Sequence, residues 1–163
     1  MMSSETAGFD LKLRAKEQWF CDNCGEIIES DQDGILEWDS LQDESTDEYT
    51  TIGENFRIVH HRSVRNCSSP QNNGVLLFDG HLDWFTGTEG LSKLLSIQAR
   101  YKLDTVKFQE IIRRLHIEYY EEARTYLPQA SADGQYDIDP SGTGHIPIAD
   151  LIWIIETYGD RQE

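Results

Sequence analysis

Hydrophobic positions alternate in the first half of the chain and recur at helical spacing in the second. Trp19-Phe20 and Glu26-Ile27-Ile28 read as two short strands on either side of a tight turn. Gly34-Ile35-Leu36-Glu37-Trp38 reads as a strand after the Asp33-Gly34 turn signal, and Phe56 to His60 as the next one. Between them, residues 39–55 are acidic with Ser and Thr interspersed, and predict a solvated loop. Residues 66–74 carry Ser68, Ser69, Pro70, Asn72, Asn73 and Gly74 and predict another loop, ahead of the apolar run Val75 to Phe78 and an Asp79-Gly80 turn.

From Thr88 onward the period changes. Leu91, Leu94, Leu95 and Ile97 follow a helix cap at Thr88. Asp104 or Thr105 caps a longer amphipathic helix, whose apolar face is Phe108, Ile111, Ile112, Leu115, Tyr119, Ala123 and Tyr126, and Pro128 ends it. A polar link, 129–135, leads to a last helix through Leu151, Ile152, Ile154, Ile155 and Tyr158. Strands first and helices afterwards predict an α+β fold, a small antiparallel sheet followed by a helical C-terminal half. The expected organisation is a loose N-terminus over 1–16, an α+β core over 17–97 and a helical region over 98–163.

Charge narrows the function classes. The 163 residues hold 30 Asp and Glu against 14 Lys and Arg, a net charge of -16. Such a chain repels phosphates over most of its surface, so direct nucleic-acid binding is not expected. No apolar run reaches the length of a membrane span, and none follows the N-terminus as a signal peptide would, so a cytoplasmic protein off the membrane is expected.

The three cysteines add chemistry. Cys21 and Cys24 form a C-x-x-C step followed by Gly25, with Cys67 downstream of His60 and His61. An odd count does not suit a disulfide framework. Three thiolates and one imidazole make the soft, four-ligand set that Zn²⁺ favours. His60 is the first choice for the fourth ligand and His61 the alternative, because the two lie on opposite faces of their strand. A redox C-x-x-C would open a helix after a strand; here strands flank it on both sides. Arg57, Arg62 and Arg65 surround the histidines and read as cations that neutralise thiolates and acidic neighbours, or else as a hold for a phosphate or acidic peptide. His116, Glu118, Glu121 and Glu122, with Arg113, Arg114 and Arg124 nearby, read as a solvated helix face laced with i,i+4 pairs.

Cys21-Asp22-Asn23-Cys24-Gly25, the strands at 34–38 and 56–61, Cys67, and Gly90-Leu91 with Leu94-Leu95 together resemble a group of uncharacterised small bacterial proteins. Those proteins carry a zinc knuckle on a small sheet. The resemblance covers about residues 17–97; it implies the metal and no activity.

Residues 139–150 resemble the twelve-residue calcium loop of EF-hand proteins and, with Asp at position twelve, of dockerins. That likeness implies Asp139, Ser141, Thr143, the His145 carbonyl and Asp150 as ligands, with Ile146 tethering the loop. Only two carboxylates are present, which suits weak binding, roughly 10⁻⁴–10⁻³ M.

The expected function is a zinc-stabilised acidic binding protein, an adaptor, regulator or inhibitor that meets a basic protein partner through Trp38, Tyr49, Glu37, Asp43 and Glu44. Mimicry of nucleic-acid charge is one form of it. A zinc-dependent hydrolase, or a calcium-responsive regulatory module, is the alternative. No phosphate-binding loop or nucleophile elbow is present, so an enzyme is the lesser reading.

Overall fold

The structure, a computed structural model, describes residues 10–45, 50–69, 76–137 and 144–159. These residues form an α+β fold with a two-stranded antiparallel sheet, a mixed four-stranded sheet and five α-helices. Strands β1 (Trp19–Phe20) and β2 (Ile27–Ile28) pair so that Trp19 lies opposite Ile28, both fully buried. Strands β3 (Gly34–Asp43), β4 (Thr50–His60), β5 (Leu76–His81) and β6 (Lys102–Leu103) form the larger sheet in the order β5-β3-β4-β6. All of its pairings are antiparallel except that of β6 with β4.

The acidic loop expected over 39–55 is largely strand. β3 runs on to Asp43 and β4 begins at Thr50, with Leu41 paired to Ile52 and Asp39 to Glu54. A long hairpin satisfies the backbone of this polar segment through its ladder, so the segment needs no continuous apolar face of its own. The register shifts between Glu37 and Asp39, where Asn55 and Phe56 on β4 oppose Trp38 alone, and Asn55 takes a left-handed φ of 53°. The Asp79-Gly80 pair does not turn the chain: β5 passes through both, opposite Glu37 and Leu36.

Helix α1 spans Gly87–Arg100, and α2 spans Thr105–His116 with Asp104 as its cap, accepting the amides of Val106 and Lys107. The single long helix expected to Pro128 is broken. Tyr119 adopts a left-handed φ of 65°, after which α3 (Tyr120–Ala123) and α4 (Leu127–Ala132) follow. Pro128 stands in the first turn of α4, where its missing amide costs nothing, so it opens a helix rather than closing one. Helix α5 spans Ile148–Tyr158.

Two apolar clusters result. The first gathers Trp19, Ile28, Leu36, Ile58, Leu82, Leu94, Phe108, Ile111 and Leu115 between the sheets, α1 and α2. The second gathers Tyr120, Leu127, Leu151, Ile154, Ile155 and Tyr158 in α3, α4 and α5. Burying such side chains contributes about 1.5–3 kcal/mol each. Leu13 is buried too, and the amides of Lys12 and Leu13 donate to the Glu122 carboxylate. No helix among the described residues is long and apolar enough to cross a membrane.

Candidate metal centre

The metal-binding candidates sit where the small sheet meets the end of β4. Cys21 and Cys24 bracket the turn from β1 to β2, closed by Gly25 N–H donating to the Cys21 carbonyl and Cys21 N–H to the Glu26 carbonyl, each at 2.9 Å. Gly25 takes a φ of 76°, which a side chain would resist. His60 is the last residue of β4, on the same face as the buried Ile58, and Cys67 comes from the loop beyond.

One donor atom from each of Cys21, Cys24, His60 and Cys67 lies within 4.8 Å of the others. Among the described residues, this is the one group of three or more His, Cys, Asp or Glu donors close enough to share an ion. His60 Nδ1 stands 3.5 Å from Cys24 Sγ and 3.8 Å from Cys67 Sγ. The edges of a tetrahedron built on Zn–S and Zn–N bonds are about 3.5–3.8 Å. The other ring nitrogen, Nε2, is 3.2 Å from the Ile27 carbonyl of β2. Donation to that carbonyl fixes the ring and leaves the Nδ1 lone pair for the thiol side, as metal-ligating histidines do. Cys21, Cys67 and His60 are buried and Cys24 half-buried.

His61 points elsewhere. Its Nδ1 accepts the Ser63 amide at 3.1 Å and lies 2.7 Å from Ser63 Oγ, and its ring stacks on His81 at 5.1 Å. Of the two candidate histidines, the structure brings His60 to the thiols.

The thiols differ in their surroundings. Burial raises the Cys24 pKa, but hydrogen bonds from the Glu26 backbone and from Cys21, Arg65 and Cys67 outweigh it and bring the thiol to about 7. Burial pushes Cys67 up, against a hydrogen bond with Asn23. Arg65 beside Cys24 is the cation that serves the thiolates. Arg57 pairs with Glu37 at 2.7 Å and Arg62 with Asp79 at 3.6 Å.

The loop that carries Cys67 is held from beneath. The Glu37 carboxylate accepts from Arg57 Nε at 2.7 Å, Ser68 Oγ at 2.5 Å and the Ser69 amide at 3.0 Å, and it is fully buried. Glu37 was expected on a partner surface and is instead a floor for this loop. Trp38 is buried as well, stacked between Phe56 at 5.3 Å and Phe78 at 6.2 Å. Asp43 is buried against Ser45 and Lys102, and its carboxyl is held down at about 2 by the Ser45 hydroxyl and amide and by Lys102. Each is covered by partners from elsewhere in the chain: Glu37 by Arg57, Ser68 and Ser69, Trp38 by Phe56 and Phe78, and Asp43, where a loop was expected, by its place in the hairpin beside Ser45 and Lys102. Of the five residues expected on the surface, Glu44 is exposed and Tyr49 lies outside the described residues.

Of the expected calcium ligands, Asp139, Ser141 and Thr143 lie outside the described residues. His145 is exposed ahead of α5, Asp150 is half-buried in the first turn of α5, and Ile146 packs on the second cluster.

The expected solvated face on the helices is also corrected. Arg114, Glu121 and Glu122 are buried and paired. Arg114 stands three residues after Ile111 and one before Leu115, on the apolar stripe of α2, and that spacing was the signal in the sequence. No family model, curated protein or solved structure matches this chain.

Proposed function

We propose that the chain is a zinc-stabilised binding protein. In this reading Zn²⁺ is held by Cys21, Cys24, His60 and Cys67 as scaffold, and an acidic surface meets a basic protein partner. The observation that carries the metal assignment is the His60 imidazole, with Nδ1 at 3.5 and 3.8 Å from two thiols and Nε2 on the Ile27 carbonyl. Three sulfurs and one nitrogen favour Zn²⁺ among the common divalent ions. They also fill all four positions of a tetrahedron, whereas a hydrolytic zinc keeps one for water, so scaffold is favoured over catalysis. Three cysteines free of disulfides suit a reducing, cytoplasmic setting.

The binding role draws on the net charge of -16, which steers a basic partner. With Trp38 buried, the anchors pass to Leu76, Phe78, Trp84, Leu91 and Leu95, exposed apolar side chains contributed by β5, α1 and the turn between them.

Elemental mass spectrometry of the purified chain tests the scaffold, with one zinc per chain expected and lost together with the fold on chelation. A pull-down at low and high salt tests the role. A basic partner released by salt is expected, and an empty pull-down under both conditions would sink the binding reading.

A further inference from the structure

Cys21 and Cys67 belong to the first apolar cluster and Cys24 packs against it, and a polar network bridges that cluster to the second. Arg114, in the last turn of α2, is only 4% exposed. Its Nη1 donates to both carboxylate oxygens of Asp22, at 3.0 and 2.8 Å. Its Nε and Nη2 donate to Glu121 at 2.8 and 2.9 Å, and Nη2 also reaches the Phe20 carbonyl at 3.2 Å. Glu121 in turn accepts the Phe20 amide at 3.1 Å and Arg124 Nε at 2.9 Å. Asp22 lies between the two cysteines of the knuckle, and Glu121 lies in α3, the first helix of the second cluster. Even the backbone of Arg114 takes part, its carbonyl accepting Trp19 Nε1–H at 3.0 Å.

A guanidinium this deep is tolerated only while its carboxylates face it. Glu121 is set by α3, and Asp22 is set from two sides: by the turn that carries Cys21 and Cys24, and by Ile58 of β4, two residues before His60. The Ile58 amide donates to the Asp22 carboxylate at 2.7 Å, and the Ile58 carbonyl accepts the Asp22 amide at 2.8 Å. With an ion bound, the two thiolates fix the turn and Asp22 with it. Without one, the turn keeps its backbone hydrogen bonds and the tie to Ile58, and Asp22 is held less firmly against Arg114.

We propose that Arg114 couples the metal centre to the C-terminal helices, so that bound metal tightens the packing of α3, α4 and α5. By thermodynamic reciprocity, loosened packing in those helices lowers metal affinity. The inference rests on the metal reading of the four ligands, and its test separates the two.

The test uses the full, reduced chain with Co²⁺ as probe. Thiolate-to-cobalt absorption gives affinity, and amide hydrogen exchange over residues 148–158 reads the helices. Co²⁺ is expected to slow exchange in α5 at least about ten-fold in the unmodified chain. Arg114→Met is expected to remove that difference and weaken Co²⁺ by up to about ten-fold, the low end of what losing a group bonded directly to a ligand costs, since Arg114 acts through Asp22; Arg114→Lys should fall between. Ile154→Val, confined to the second cluster, should weaken Co²⁺ several-fold. A chain that develops no cobalt absorption overturns the metal reading and the coupling with it. Cobalt absorption with α5 exchange identical in the free and bound forms overturns the coupling alone. Where Arg114→Met does not fold, Ile154→Val decides, and unchanged Co²⁺ affinity in that variant overturns the coupling.

Discussion

Asp22 and Arg114, 92 residues apart in sequence, meet through two hydrogen bonds of 3.0 and 2.8 Å at the foot of the cysteine knuckle. The same carboxylate accepts the Ile58 amide at 2.7 Å, while the Asp22 amide donates to the Ile58 carbonyl at 2.8 Å. One side chain therefore extends the edge of β4 and neutralises a buried cation.

Replacing that carboxylate should be costly. Asp22→Ala leaves Arg114 with one carboxylate, Glu121, and the Ile58 amide without its side-chain acceptor, and is expected to destabilise the chain by about 2–3 kcal/mol. Urea unfolding of the metal-loaded protein measures it. A loss below about 0.5 kcal/mol would show that the pair contributes little.

The two histidines should separate cleanly. His60→Ala removes a donor that faces two thiols, whereas His61→Ala removes a ring that bonds Ser63 and stacks on His81. Zinc content by elemental analysis is expected to fall well below one per chain in the first variant and to stay at one in the second. Equal zinc in both would return the fourth position to another donor.

Metal affinity should fall with pH, since thiols bind as thiolates and release protons on binding. Cys67 lies above the ordinary thiol value, so below it each pH unit costs at least about ten-fold in affinity. Cys24, at about 7, adds a further ten-fold per unit only below that pH. Competition with a chelator of known affinity from pH 6 to 9 should therefore show a slope that steepens below about 7. A pH-independent constant would mean that the thiols are not the ligands.

Gly90 has no room for a methyl group. A Cβ there would stand 2.2 Å from the Phe85 carbonyl carbon, and that backbone is held in place by His116 Nε2, 2.7 Å from the Phe85 oxygen. Helix propensity alone would favour Gly90→Ala by up to about 1 kcal/mol. Here the clash is expected to win, with a net loss of about 2 kcal/mol or more in thermal or urea unfolding. A stabilised variant would mean that α1 can shift away from Phe85.

How much was legible depended on the distance over which each signal acts. C-x-x-C-G is a local pattern, and local geometry is enough to aim two thiolates at one point, so Cys21 and Cys24 could be read directly. Cys67 and one histidine, His60 or His61, followed as the remaining soft donors although they lie far downstream, and the α+β order followed from the change in hydrophobic period. The sequence alone also carried a cap at Asp104 or Thr105, which the structure places at Asp104, and the apolar stripe from Phe108 to Leu115.

Tertiary structure decided the rest, because burial of a polar group depends on partners far along the chain. Glu37 is buried because Arg57, Ser68 and Ser69 supply donors from 20 to 32 residues away. Arg114 is buried because Asp22 and Glu121 converge on it from the knuckle and from α3. His60 rather than His61 faces the thiols because Ile27 on a neighbouring strand holds its far nitrogen. A charged residue looks solvated in sequence until its counter-charge is found, and only the folded chain brings the two together.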